Sequence, residues 1–326
     1  MTHPDSHTGA EALPDRTTHE FALIEQARLL AARQTSSALQ LGIGDDAAVW
    51  RPSPGYELLL AKDVLMEGTH FLFPPATPEL AGRKALAVNL SDIAAMGGTP
   101  RAALVGLALP RSRGADFARR VQAGVQQLAD ASGVLVVGGD TNIWDGPLVV
   151  SVTVLGEVAA SSAWQRSGAQ PGDVLCVTGP LGGSYPSGRH LRLSPRLDLV
   201  PLLRERVTIR AAIDLSDGLL RDVGHLLQGT AAGARLDASA IPIHPDVPAS
   251  APWLARLEQA LTDGEDFELL LAVAPDDWQE LRHDPILGQQ VVSIGEISAT
   301  AGLVVLDPQG APLSFQRTGY QHQFGE

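Results

Sequence analysis

The chain has 326 residues, enough for about two domains and a sizeable core. With 44% hydrophobic and 19% charged residues it is not a disordered chain. Lys and Arg number 24 against 37 Asp and Glu, a net charge of −13, which argues against nucleic acid or an anionic membrane as a partner. The same excess suits an enzyme that gathers divalent cations, and it suits any soluble acidic protein equally well.

Residues 1–18 read as a disordered leader rich in His, Thr, Asp and Pro, without the apolar stretch of a signal peptide. From Glu20 to Arg33 the spacing of Leu23, Ala27, Leu30 and Ala31 predicts an amphipathic helix. Leu41 to Trp50 reads as a turn, Gly42-Ile43-Gly44-Asp45-Asp46, entering a short strand. A strand over 57–61 runs into Lys62-Asp63. Thr77-Pro78 is a helix start, with a capping hydroxyl and Pro at the first helical position, and Gly97-Gly98 is the stop. Arg101 to Leu109 reads as a strand. Its apolar run falls far short of the roughly 20 residues of a membrane span, so the expected location is the cytoplasm. A helix follows over 115–131, then a buried strand over 134–137 ending at Gly138-Gly139-Asp140, and a long strand over 148–158. The small residues 159–163 are the best domain boundary, which gives domains at 19–160 and 161–326.

The second half opens with the turn Pro171-Gly172-Asp173 and a strand at 174–177. That strand holds the one cysteine, Cys176, which excludes an internal disulfide and reads as buried filler. Helices are expected at 199–207 and 219–227, and strands at 267–273, 291–297 and 303–306. Strands alternate with helices in both halves, so the fold class is α/β or α+β. Val154-Leu155-Gly156-Glu157-Val158 echoes Ser293-Ile294-Gly295-Glu296-Ile297, but five residues are too few to argue a duplication.

The aspartates carry the most information. Asp45, Asp46, Asp63, Asp92, Asp140, Asp214 and Asp217 mostly sit beside Gly or Ser at the expected ends of apolar strands, the place where α/β folds open ligand crevices. Each alone is also an ordinary turn or cap residue. Gathered in one cleft they would repel and gain protons, a cost that divalent cations remove. Mg²⁺ prefers hard oxygen ligands and shares them with phosphates, so the set points to a multi-Mg²⁺ nucleotide site. No Walker A sequence, kinase catalytic loop, nucleophile elbow or His-Glu-x-x-His occurs. The Gly-rich run Gly179-Pro180-Leu181-Gly182-Gly183-Ser184 is weak evidence alone.

Read together, several strings resemble the thiamine-monophosphate kinase family, of the aminoimidazole ribonucleotide synthetase-like ATP-binding superfamily. They are Leu41-Gly42-Ile43-Gly44-Asp45-Asp46, Glu67-Gly68-Thr69-His70-Phe71, Lys84 through Asn89-Leu90-Ser91-Asp92 to Gly97, Gly138-Gly139-Asp140-Thr141, Arg166-Ser167-Gly168, Asp214-Leu215-Ser216-Asp217-Gly218 and Gly264-Glu265-Asp266-Phe267. They follow the family order over residues 20–324. The resemblance implies a two-domain fold in which the N-terminal sheets of two chains form the barrel of a homodimer, with a C-terminal α/β domain. It implies transfer of a phosphoryl group from ATP to thiamine monophosphate with several Mg²⁺ ions. By position Asp46, Asp63, Asp92, Asp140, Asp214 and Asp217 match metal ligands. Gly139, Asp140, Arg166 and Ser216 match nucleotide contacts, and His70, Glu265 and Tyr320 match substrate contacts. An ionised acceptor phosphate needs no strong general base, which fits the absence of an obvious base dyad.

Two places depart from the pattern. The family has a hydroxyl pair before the residue matching Asp63, whereas this chain has Ala61-Lys62, one of only two lysines. The Lys62 ammonium is read as a stand-in for a metal cation, or else as a surface charge paired elsewhere. The second is Tyr185-Pro186-Ser187-Gly188-Arg189-His190, where small residues are usual and where Arg189 or His190 could add a phosphate or substrate contact. Asp45 stays open as a further ligand. Among relatives, selenophosphate synthetase and the hydrogenase maturation dehydratase need cysteines that this chain lacks in place. Aminoimidazole ribonucleotide synthetase is the harder rival. A binding protein that has lost catalysis is the alternative from another class.

Overall fold

The computed structural model describes residues 20–31 and 35–321, so the leader expected at 1–18 lies outside the described residues. The first part holds α1 (Glu20–Ala31), β1 (Leu39–Leu41), β2 (Val49–Trp50), β3 (Tyr56–Met66), α2 (Pro78–Ala95), β4 (Thr99–Pro110), α3 (Gly114–Ser132), β5 (Leu135–Trp144) and β6 (Val149–Ala159). The rest holds β7 (Val174–Val177), α4 (Ser184–Ser187), α5 (Leu199–Arg206), β8 (Ile209–Asp214), α6 (Leu219–Leu227), β9 (Gly233–Asp237), α7 (Trp253–Thr262), β10 (Leu269–Val273), α8 (Pro275–Leu281), β11 (Val292–Ser298), β12 (Gly302–Leu306) and β13 (Pro312–Leu313). Among the described residues no helix is long and apolar enough to cross a membrane.

The first large sheet has the order β3-β6-β4-β5, antiparallel except for the parallel pair β4/β5. Strand alternation gives it two unlike faces. Leu59, Leu65, Val150, Val152 and Val154 face α2 and α3 and are buried. Leu58, Leu60, Val64, Met66 and Leu104 lie on the other face and stay exposed, Leu60 at 72%. The β1/β2 pair covers only one corner of that open face, where Leu39, Ala48 and Trp50 pack on Ala102, Leu135 and Val137. The four strands do not close on themselves within one chain.

The second sheet runs β13-β12-β9-β11-β7-β10-β8, antiparallel except for β9/β12. Both faces are covered. Leu270 and Ala272 pack with α6 and α7, while Leu269, Leu271 and Val273 pack with α5 and Trp164. That two-sided burial accounts for the unbroken apolar run of β10.

The two sheets lie on either side of residues 160–173, yet the cores interlock. Leu191, Leu193 and Phe267 join the first core, and Ala94 and Ala95 join the cluster of Trp164 and α5 that packs on β10. Helix α2 is at the centre. Thr77 caps it, accepting from the Leu80 amide at 3.3 Å, and Pro78 begins it, as the sequence indicates. It is buried almost throughout because it packs on α3, on the first sheet and on β8.

Two expected strands prove longer. β3 continues through Asp63 to Met66, and β5 continues through Gly138-Gly139-Asp140 to Trp144, so these aspartates are inside strands and obey their alternation. Gly138-Gly139 is not a turn. A Cβ on Gly139 would stand 1.9 Å from the Val105 carbonyl oxygen, so glycine permits close strand approach beside the register shift at Ala103/Leu104.

Helices α2 and α3 meet through Gly82 and Gly124, where an added methyl would lie 2.1 Å from the Val121 oxygen and 1.9 Å from the Glu79 oxygen. Gly124→Ala is therefore expected to destabilise by roughly 1–3 kcal/mol. Gly224→Ala, in α6 with nothing near its Cβ position, should stabilise by roughly 0.5–1 kcal/mol. Urea unfolding of the two variants checks the contrast; equal effects would contradict the close helix contact.

Candidate active site

The cleft between α2 and the second half is built by three elements. Asp63 comes from β3, its amide donating to Asn89 Oδ1 at 3.0 Å. Asp92 comes from the last turns of α2. Asp214 ends β8 and accepts from Ser91 Oγ at 2.7 Å, joining the halves directly. Burial pushes all three carboxyls above their ordinary range. For Asp92 the negative charges of Asp214 and Asp63 add to burial, and the Arg166 guanidinium opposes them. Arg166 acts on Asp214 in the same sense and is itself exposed, so it stands at the mouth of the cluster. Three buried carboxyls with one exposed cation nearby, Asp92 facing the negative charges of the other two, are an incomplete electrostatic assembly.

The turn after β8 carries Ser216 and Asp217. Its carbonyls are clamped: Ser216 accepts from the Glu265 amide and Asp217 from the Tyr320 amide, both at 2.8 Å. Asp217, Asp222 and His225 each bring one ligand atom within 4.8 Å of the others, the one group of three such side chains among the described residues that does so. Burial, then Asp217, then Asp214, push Asp222 up to about 8.

Glu265 and Phe267 take positive φ values of 69° and 53°, a costly conformation for residues with side chains. Ser184 Oγ holds the Glu265 carbonyl at 2.6 Å, and the strained turn aims the Glu265 carboxylate at α2. There it meets Lys84, 1% exposed, at 2.6 Å. The Lys84 ammonium also donates to the His70 carbonyl at 2.7 Å and to His190 Nδ1 at 2.8 Å. Two hydrogen bonds and the close ion pair with Glu265 compensate the buried ammonium. Because Nδ1 accepts, His190 is the neutral Nε2–H tautomer. Burial and the neighbouring Lys84 charge lower its pKa to about 3. Burial lowers the Lys84 pKa and raises that of Glu265, and each partly restores the other. Tyr185 stacks on His190, ring centroids 4.4 Å apart at 22°.

The residues singled out from sequence therefore fall into two groups. Asp63, Asp92, Asp214, Asp217, Ser216, Arg166, Glu265 and Tyr320 belong to the cleft. His70 joins it through its carbonyl, while its Nδ1 accepts from the Met66 amide at 3.0 Å. Asp45, Asp46, Lys62, Gly139 and Asp140 instead line an open cavity of about 960 Å³ on the uncovered face of the first sheet. The expected single cluster of Asp46, Asp63, Asp92, Asp140, Asp214 and Asp217 is thus corrected: Asp63 and Asp140 point to opposite faces of one sheet. The Asp140 carboxylate is held locally by the Thr141 amide and Asn142 Nδ2. Lys62 also lies on the open face, where it hydrogen-bonds Ser151 Oγ, though its charge still eases ionisation of Asp63. It is not the cation of the Asp63–Asp92–Asp214 cluster. Arg189 is spent on the fold, donating to Asp246 at 3.0 Å, Asp266 at 2.9 Å and the Gly182 carbonyl at 2.8 Å. Lys84 and Asp222 have roles that no local sequence signal discloses.

Residues 44–158 match the family model "AIR synthase related protein, N-terminal domain". The chain is 40% identical to a thiamine-monophosphate kinase of Rhodopirellula baltica over 272 residues, 81% of this chain and 85% of that protein. The crystal structure of thiamine-monophosphate kinase from Stenotrophomonas maltophilia K279a superposes with a TM-score of 0.77 at 33% identity, covering 88% of this chain and 96% of that one. AaThiL complexed with AMPPCP and TMP gives a TM-score of 0.71 at 28% identity, covering 96% and 100%.

The His190 geometry has a pH consequence. Its folded pKa of about 3 lies below the ordinary 6.5, so its contribution to stability is complete above that ordinary value. It is lost progressively as pH falls from 6.5 toward 3. In His190→Gln, whose amide oxygen can still accept from Lys84, the slope of unfolding free energy against pH near pH 5 should shrink by about 1.4 kcal/mol per pH unit relative to wild type. Equal slopes in urea titrations across that window would show that His190 is protonated in the folded protein.

Proposed function

Because this chain belongs to the thiamine-monophosphate kinase family, we propose that it transfers the γ-phosphoryl group of ATP to thiamine monophosphate, giving thiamine diphosphate and ADP, in the cleft beside α2. The observation that carries the reading is the convergence of Asp63, Asp92 and Asp214 from three separate elements beneath Arg166. AaThiL complexed with AMPPCP and TMP supports both ligands.

The donor type fits Mg²⁺, since Asp63, Asp92 and Asp214 offer hard carboxylate oxygens that feel one another's charge and a divalent cation removes that cost, although among the described residues only Asp217, Asp222 and His225 bring three ligand atoms within 4.8 Å of one another. Asp63, Asp92 and Asp214 would hold it, with Asp217 as a neighbouring ligand. Bound there, Mg²⁺ neutralises phosphate oxygens and aligns donor with acceptor. The chain's own groups do the rest. Arg166 draws anionic phosphates to the mouth and screens them from the aspartates. The fixed Ser216-Asp217 turn sets the floor against which phosphates lie. Lys84 holds the Glu265 carboxylate in a fixed position and opposes the protonation that burial favours, suited to a cationic acceptor ring. The acceptor phosphate is already ionised, so no side chain must remove a proton from it.

The remaining parts of the reading follow from the same premise. Residues 19–160 form the ATP- and metal-binding half and 161–326 the second domain, in a cytoplasmic enzyme. Two chains pair through the open sheet faces into a homodimer, which would cover Leu58, Leu60, Val64 and Leu104 and enclose the cavity lined by Asp46, Lys62 and Asp140.

Incubation with ATP, Mg²⁺ and thiamine monophosphate tests the activity. Binding without formation of thiamine diphosphate would instead favour a non-catalytic binding protein, and turnover of the aminoimidazole precursor would favour the sister synthetase. Asp92→Asn should cut kcat by about two orders of magnitude or more. In metal-free buffer near pH 7 the same variant should melt higher than wild type, because folding no longer has to protonate a carboxyl whose pKa is raised to about 8. Mg²⁺ should raise the wild-type Tm but hardly that of the variant; a variant with full activity would remove Asp92 from the site. Leu60→Asp should give a folded monomer by sedimentation where wild type is a dimer, and an unchanged dimer would place the interface elsewhere.

A further inference from the structure

Tyr185 and His190 have no part in the phosphate chemistry, yet they are built into the cleft with care. The His190 ring is buried and cannot turn, because Nδ1 is fixed by the Lys84 ammonium at 2.8 Å. Tyr185 lies flat on it at 4.4 Å while remaining 39% exposed. One face of the phenol ring is thus covered and the ring is immobilised. The glycines Gly182 and Gly183, both with positive φ, deliver the residue to this place. Burial, then the Glu265 charge, then Tyr320, disfavour ionisation of the Tyr185 hydroxyl, so the phenol stays neutral beside a fixed carboxylate. Glu265 in turn feels Asp217 and Asp63, which places this aromatic group next to the acidic cleft.

A fixed aromatic ring and a fixed carboxylate side by side form a receptor for a flat cation. The ring quadrupole attracts positive charge and the carboxylate attracts it further, whereas a neutral ring gains only stacking. We infer that Tyr185, held by the stacked His190 and the Lys84–Glu265 pair, is a specificity-determining residue that binds the cationic heteroaromatic ring of the phosphate acceptor. The inference rests on the proposed kinase reading and names how its acceptor is selected. Tyr185 touches the acceptor; His190 is a positioning residue beneath it.

The experiment compares wild type, Tyr185→Phe and Tyr185→Ala with two acceptors, thiamine monophosphate and the phosphate ester of its uncharged thiazole half. Tyr185 is at the surface of its loop, so neither substitution disturbs the core. Tyr185→Ala should raise KM for thiamine monophosphate about tenfold and leave KM for ATP unchanged, while Tyr185→Phe stays within about twofold of wild type. The preference of wild type for the charged acceptor over the neutral one should shrink in Tyr185→Ala by a similar factor. An unchanged KM for thiamine monophosphate, or an equal rise for ATP, overturns the inference while leaving the kinase reading intact. If wild type forms no thiamine diphosphate, the kinase reading fails, and calorimetric titration with thiamine monophosphate decides the inference separately. Weaker binding by Tyr185→Ala then upholds it, and equal binding or none overturns it.

Discussion

One buried ammonium organises this molecule. Lys84 lies on a helix of the first half, and two of its three partners, His190 and Glu265, come from the second. Removing any one partner would strand a charge or a donor in the interior, which costs far more than the pair contributes when intact. The arrangement therefore specifies position more than it adds stability. It fixes how α2 meets the strained Gly264–Phe267 turn, and through that turn it fixes Ser216, Asp217 and the mouth of the cleft.

Against that satisfied charge stands an unsatisfied one. Asp63, Asp92 and Asp214 are gathered by β3, α2 and β8 although burial raises the proton affinity of all three and the charges of Asp214 and Asp63 raise that of Asp92 further. Nothing in folding alone favours such a meeting, and the tight Ser91–Asp214 bond and the buried length of α2 impose it. Positive φ at Glu265 and Phe267 is strain of the same kind. Local discord supported by a well-packed surround is the signature of a site kept for chemistry.

Much of this was legible in the chain. The helix start at Thr77-Pro78 and the helix at 219–227 follow from local rules, as does the β10 run, because caps, periodicity and two-sided burial leave marks within a few residues. The motif strings also disclosed the family. What they did not disclose was which face of a sheet each aspartate uses. Gly138-Gly139 reads as the end of a strand because glycine usually interrupts one, yet here it serves close contact between β4 and β5, so Asp140 continues the strand and faces away from Asp63. Lys62 is misplaced by the same one-residue alternation. The partners of Lys84 are far away in sequence, and no local pattern announces a contact of that kind.

The interlocked cores carry a further consequence. Phe267, Leu191 and Leu193 are rooted among the side chains of the first half, and Ala94 and Ala95 among those of the second. Rotating one half about residues 160–173 would tear these anchors out and expose them to water. The body of the protein behaves as a single cooperative block, whose halves would not be expected to survive being made apart.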